Sequence, residues 1–268
     1  MCGRYAVTAS VQDLVSEFEV DDTTLRTFEP DYNVAPTKPV PVVLARRRTD
    51  EETGETDVRR HLEVMRWGLV PSWAKDPSIG SRLINARAET LTEKPAYRKA
   101  FARRRCLLPA AGYYEWWAPP NGPVGKAGKP LKQPYFIRPI AGESLAMAGL
   151  FEFWRDKSRP VDDPAAWWTT VTVITTDSQD DVGYIHDRMP LLVPRQSWPE
   201  WLDPDVDGSS DADHLQPLLV PAAPGLLTSY PVSRAVNDVR NNGPELLTKV
   251  SVPDELVGAA DSSPEGLF

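Results

Sequence analysis

Cys106-Leu107-Leu108-Pro109-Ala110-Ala111-Gly112-Tyr113-Tyr114-Glu115-Trp116-Trp117, residues 106–117, is the stretch that decides the fold class. Aliphatic and aromatic residues dominate it, and it reads as a strand. Short strand candidates follow at 134–139, 145–154 and 169–176, and two precede it at 40–45 (VPVVLA) and 62–70 (LEVMRWGLV). Helical signals are fewer. Residues 10–19 carry apolar side chains at 11, 14, 15 and 18 behind Ser10, a candidate N-cap. Segment 89–103 reads as a helix interrupted or started at Pro95, and 197–202 and 210–219 as short helices. The charged stretch 46–60 and the Pro-, Gly- and Lys-rich stretch 118–133 read as loops. With 27 prolines, no regular βαβ alternation, no repeat and no clear linker, the chain reads as an α+β or mostly-β single domain. That domain spans residues 1–250. The acidic tail over 251–268 is expected to be disordered.

Composition narrows the function classes. A hydrophobic fraction of 41% and nine Trp suffice for a substantial core. No apolar run approaches the roughly 20 residues of a membrane helix, and the N-terminus lacks the pattern of a secretory signal. Two cysteines, Cys2 and Cys106, make no disulfide framework, which points to a reducing cytoplasm. There is no metal-ligand spacing, no Walker loop and no Gly-x-Ser-x-Gly elbow, so neither metal nor cofactor is expected. Net charge is −8, yet residues 66–138 carry 14 Lys/Arg against 4 Asp/Glu. That local excess is what a phosphate backbone would sense. The alternative is that Arg98, Lys99 and Arg103 to Arg105 merely solvate a helix.

The start, Met1-Cys2-Gly3-Arg4, carries the chemistry. A small residue after the initiator favours removal of Met1, leaving Cys2 first. A 1,2-aminothiol has an amine of pKa about 7.7–8.0 and a thiol of about 8.5, both partly deprotonated at neutral pH. The amine can attack an aldehyde, and the thiol can then close a thiazolidine. The bland alternative is that Cys2 is an early residue of a first strand. Four other patterns stand out: Tyr32-Asn33-Val34-Ala35-Pro36-Thr37, a polar turn; Arg66-Trp67-Gly68 to Trp73, leading to Asn85-Ala86-Arg87; Glu115 among aromatics; and Ile185-His186-Asp187-Arg188. If Glu115 is buried, desolvation raises its pKa and makes it a candidate acid/base. His186 is the one histidine of three set between apolar and charged neighbours, and it too has a structural reading. Asn85 and Arg87 alternate with alanines, which in a strand puts both on one face beside room for a ligand. An exposed Trp beside basic residues would be a base-stacking platform.

In this order, MCGRY, YNVAPT, RWGLVPSW, INARAET, CLLPAAGYYEW, IHDRMP and PVSRAVN resemble the motifs of the SRAP family, the SOS response-associated peptidases. The resemblance implies an α+β domain around a barrel-like, mostly antiparallel β core with flanking short helices. It implies an abasic-site sensor in single-stranded DNA that crosslinks through Cys2, with autoproteolytic, peptidase and lyase activities as further expectations. Carried over, Cys2 is the nucleophile, Asn85 holds the linkage, Glu115 is the acid/base and His186 opens the sugar. Arg4, Arg87 and Arg188 resemble the phosphate contacts. Gly3, Asn33, Pro36, Trp67 and Trp73 resemble the rest of the DNA-facing wall. The implied partner is single-stranded DNA containing abasic sites, met by a cytoplasmic monomer. Two rivals stand beside this reading. An N-terminal-nucleophile glutamine amidotransferase also begins Met-Cys-Gly, but here no His-Thr-Arg-Trp occurs and Asn121-Gly122 is followed by Pro123. A non-catalytic nucleic-acid-binding module would explain the basic stretch but not Cys2 with Glu115 and His186.

Overall fold

The chain does not run straight through 105–117. A Cβ at Gly112 would lie 2.5 Å from the Ile137 carbonyl oxygen and 2.5 Å from the Phe136 ring, so only glycine fits. Just before it, the Ala111 N–H donates to Ala6 O at 2.8 Å. The single strand expected over 106–117 is therefore two strands, Arg105–Ala110 and Gly112–Trp117, lying in different sheets.

The computed structural model describes residues 2–49, 54–120, 122–125, 128–178, 180–208, 210, 212–253 and 256. In chain order the strands are β1 Tyr5–Val7, β2 Asp22–Thr23, β3 Asp31–Val34, β4 Pro39–Thr49, β5 Thr56–Trp67, β6 Asn85–Arg87, β7 Arg105–Ala110, β8 Gly112–Trp117, β9 Gln133–Pro139, β10 Leu145–Arg155, β11 Trp167–Asp177, β12 Arg188–Pro190 and β13 Leu227–Pro231. The α-helices are short: α1 Val11–Glu17, α2 Arg98–Arg103, α3 Asp180–Gly183, α4 Trp198–Leu202 and α5 Ala212–Leu215. One sheet runs β13-β9-β8-β1-β3, and the other β12-β11-β10-β7-β4-β5-β2, with β6 added to β11. A parallel pairing of Thr170 with Arg66 and Val171 with Trp67 joins β11 to β5. It closes β11-β10-β7-β4-β5 into a ring, and the other pairings of that ring are antiparallel. The fold is thus α+β, mostly antiparallel and barrel-like, as expected.

Gly68 leads the chain out of that closure. Its φ of +123° lies in the region open to glycine, its N–H donates to Val171 O at 2.8 Å, and a Cβ would meet Gly80 O at 2.6 Å. Strand alternation then sorts the core. Tyr5, Val7 and Tyr113 join Cys2, Trp67, Cys106, Val171 and Val173 in one buried cluster drawn from both sheets. Ala6, Tyr114 and Phe136 lie in a separate small cluster with Val232, Val236 and Leu246. Glu115, two residues beyond Tyr113 on β8, therefore shares the face turned toward Cys2. A third cluster packs Leu14, Phe18, Phe101, Trp198 and Trp201 against Leu107, Leu150 and Ile174.

Several local expectations are corrected. The charged stretch over 46–60 continues the β4–β5 hairpin: Arg46 pairs with Arg59 and Thr49 with Thr56, while residues 50–53 lie outside the described residues. Charged side chains suit an exposed hairpin as well as a loop. The 89–103 helix shrinks to α2, which begins at Arg98, three residues past Pro95; a proline disfavours helical geometry at the residue before it. The polar turn over 32–37 is strand through Val34 and turns only after it. Segment 210–219 splits into α5 and a 3-10 turn, Gln216–Leu218. The expected disordered tail lies, but for residues 251–253 and 256, outside the described residues, as do positions 121, 126 and 127 of the 118–133 loop. Ser10 does cap α1: Asp13 N–H donates to its Oγ and Ser10 N–H to Asp13 Oδ2, both at 3.1 Å.

Candidate functional site

Cys2 is fully buried ahead of β1, inside the cluster that holds Tyr5, Tyr113 and Trp67. Its Sγ lies 3.9 Å from Arg4 O. Burial pushes its thiol well above the ordinary value, and the nearby Glu115 carboxylate adds to the shift. The free sulfur is therefore a neutral thiol at rest. Asn85 reaches it from β6, which is set in place by its parallel pairing with β11. Asn85 Nδ2 donates to Cys2 O at 2.7 Å, and Tyr97 Oη donates to Asn85 O at 2.9 Å. Asn85 Oδ1 is buried and has no hydrogen-bond partner among the described residues.

Glu115 is only 3% exposed, and burial raises its pKa above the usual 4.5. His186 lies between α3 and β12, partly covered. Burial lowers its pKa below 6.5. Its Nδ1 accepts the Arg188 N–H at 3.0 Å, which puts the proton of the neutral ring on Nε2. When protonated, Nδ1 has Asp187 Oδ1 at 2.8 Å to receive its hydrogen. The Lys132 charge acts on Glu115 and His186 alike, so both lie within its electrostatic reach. The arrangement offers a carboxyl biased toward its acid form and an imidazole biased toward its base form, the division of labour that acid–base chemistry at one carbon requires.

The other sequence-derived residues fall into three groups. Trp67 and Asn33 are fully buried, so they support the site and offer no surface to a ligand. Trp67 donates through Nε1 to Ile84 O at 2.9 Å and packs edge-on against Tyr5 at 5.1 Å. Asn33 donates to the carbonyls of Val236, Asp238 and Asn241 and accepts from Arg4 Nη1 at 2.6 Å. Arg4 is thereby fixed, also bonded to Val236 O at 2.8 Å and 6.0 Å from the Trp116 ring. Gly3 and Pro36 are partly exposed, Arg87 is exposed, and Trp73 is 55% exposed. The turn after Pro36 meets Trp67, whose O accepts the Thr37 N–H at 2.8 Å. Arg188 stands apart. Its side chain is 11% exposed and held by Glu89 at 2.7 Å, Asp177 at 2.6 Å and Thr175 O at 2.7 Å. It ties β11, β12 and the 88–90 turn together and presents little unpaired charge.

The basic stretch is also less uniform than its count suggests. Arg105 is buried and donates to five carbonyls, those of Phe101, Ala102, Trp201, Asp203 and Val206. Arg103 pairs with Asp207 and Arg104 with Glu152. Sequence reasoning missed Tyr97 and Asn237. Tyr97 orients Asn85, and Asn237 Oδ1 accepts the Trp116 Nε1–H at 2.7 Å. Neither contact has a local signal, because each joins segments brought together only by the sheets. Among the described residues no group of three or more His, Cys, Asp or Glu could hold a metal ion, and no helix is long and apolar enough to cross a membrane.

The abasic site processing protein YoqW of Bacillus subtilis is 36% identical over 92% of this chain and 99% of its own length. The abasic site processing protein HMCES of Gallus gallus is 33% identical over 88% of this chain and 71% of its own. A solved protein from Bacteroides thetaiotaomicron shares the fold, with a TM-score of 0.71 at 22% identity, covering 93% of this chain and all of that one. The SOS response associated peptidase (SRAP) family profile matches residues 1–239. On that match and on the likeness to YoqW along nearly its whole length, the chain belongs to the SRAP family.

Proposed function

We propose that this protein recognises abasic sites in single-stranded DNA and bonds to them covalently through Cys2 after removal of Met1. The observation that carries the reading is the hydrogen bond from Asn85 Nδ2 to Cys2 O at 2.7 Å, which fixes the backbone of Cys2 on the side of the sheet shared by buried Glu115. Relatives bearing the name abasic site processing protein support the substrate.

An abasic deoxyribose is a masked aldehyde. Neutral His186 takes the C1′ hydroxyl proton as the C1′–O4′ bond breaks, and the resulting imidazolium gives a proton to O4′, leaving the open aldehyde. The Cys2 amine adds to the aldehyde carbon, and Glu115, held as an acid by burial, gives its proton to the departing hydroxyl. Water leaves, the iminium nitrogen returns its proton to the Glu115 carboxylate, and a neutral Schiff base remains. The thiol then adds across the C=N bond: S–C forms, the π pair returns to nitrogen, and the thiol proton ends on that nitrogen. β-Elimination from the same Schiff base would cut the strand, so lyase activity belongs to this reading as a side branch. Peptidase activity is taken as autoproteolytic release of Met1. The protein acts in the cytoplasm as a monomer, without metal or cofactor.

The test is a gel shift that survives SDS, using an abasic single-stranded oligonucleotide. Cys2→Ala should abolish the adduct, and Cys2→Ser should not restore a stable one. Cys106→Ala should leave it intact, since that buried thiol lies inside β7 and has no free amine of its own with which to form a Schiff base or close a thiazolidine. The reverse pattern would refute the assignment. Release of glutamate from glutamine would favour the amidotransferase instead.

A further inference from the structure

Two buried hydroxyls beside Cys2 have no task in the mechanism above. Tyr5 and Tyr113 are directly opposite each other on β1 and β8. Both are 0% exposed, both belong to the cluster that contains Cys2, and neither Oη has a hydrogen-bond partner among the described residues. A buried hydroxyl without a partner destabilises the fold, because it gives up its bonds to water and gains none. A phenylalanine at each position would fill the same space without that cost. Two such hydroxyls on one face of one strand pair indicate an acceptor that the resting protein does not yet present.

The Cys2 sulfur is the group that becomes such an acceptor. At rest it is a neutral thiol, and neither phenol Oη is in hydrogen-bond geometry with it. During ring closure it loses its proton and gains negative character in a buried site. Resting on the reading that Cys2 closes a thiazolidine, we propose that the Tyr5 and Tyr113 hydroxyls donate hydrogen bonds to the Cys2 sulfur as it becomes nucleophilic. The S–C bond forms, the C=N π pair moves to nitrogen, and the sulfur proton passes to that nitrogen. Both phenols keep their own protons throughout and act only as donors. Burial, with the Cys2 charge adding to it, raises both phenol pKa values, so neither ionises in the working range. Asn85 holds the Cys2 backbone while the two phenols serve the side chain.

The test separates the amine step from the sulfur step. Tyr5→Phe, Tyr113→Phe and the double variant keep the rings and the edge-on contact with Trp67. Borohydride trapping reads the Schiff base, and SDS-stable adduct without reductant reads ring closure. Closure in the double variant should slow by roughly ten- to a hundredfold, as expected for lost hydrogen bonds to a charged group, while trapping keeps the wild-type rate. Equal slowing of both steps, or no slowing, would overturn the proposal. A second measurement needs no DNA. Thiazolidine formation between the Met1-less protein and formaldehyde, read by intact mass, should slow in each Phe variant relative to wild type. An unchanged rate would overturn the proposal even if the DNA kinetics are blurred. If wild-type protein forms no adduct with abasic DNA, the abasic-site reading fails, and the formaldehyde reaction still decides whether the phenols serve the sulfur.

Discussion

Glu115 and His186 sit in environments that push them in opposite directions, and that is a residue-scale claim open to measurement. General acid–base groups contribute about 10²–10⁴ in rate. Glu115→Gln and His186→Ala should each slow single-turnover crosslinking by that order, with non-covalent DNA affinity retained; wild-type rates in both would make them structural. Burial raises the Glu115 pKa, so the folded state holds its proton above pH 4.5, where the unfolded chain releases it. Stability contributed by this residue is then lost as pH rises from there through the folded value. Glu115→Gln should therefore melt higher than wild type at neutral pH, with the gap closing toward pH 4. A Glu115→Gln variant less stable at neutral pH would contradict the assigned direction. At this scale much of the site was legible. Cys2, Asn85 and Glu115 follow from residue type and local alternation, and the structure sets Asn85 on Cys2 and Glu115 on the shared face. The finer roles were not legible. Nothing in the sequence distinguishes exposed Trp73 from buried Trp67, or a phosphate-facing arginine from Arg188 between two carboxylates.

Among the elements, the junction of α2 and β7 shows how a charge run misleads. Arg103, Arg104 and Arg105 read as one basic face, yet Arg105 is 4% exposed and serves five carbonyls of α2, α4 and the segment after it. Burial lowers its pKa to about 10, which leaves it charged at neutral pH. Removing the guanidinium strands those carbonyls, so Arg105→Leu should lower unfolding free energy by about 3 kcal/mol or more in denaturant titration, against about 0.5 kcal/mol for a typical surface change. A loss under 1 kcal/mol would show that water replaces the side chain. Strand positions were readable because alternation and β-branched content are local. The split at Gly112 was not, because the close approach of Ile137 that demands glycine comes from another strand.

For the whole molecule, ring closure between β11 and β5 rests on two residue pairs more than a hundred positions apart, and no local pattern encodes it. The barrel-like core came from family resemblance, while the α+β class was legible from strand spacing. Charge at this scale is redistributed by pairing. Non-covalent DNA binding should weaken as salt rises, with each phosphate contact adding about 0.7 to the log–log slope on single strands. Arg87→Ala should reduce the slope by about that amount. Arg188→Ala should reduce it less, since Glu89 and Asp177 already hold that guanidinium. Equal effects would mean that DNA releases Arg188 from its carboxylates. The most direct test of the central claim is the intact mass of the purified covalent complex with an abasic oligonucleotide, followed by peptide mapping. The expected mass is that of the Met1-less protein plus the oligonucleotide minus one water, with the linkage on Cys2. A complex that retains Met1, or a linkage mapped to any other residue, would contradict it.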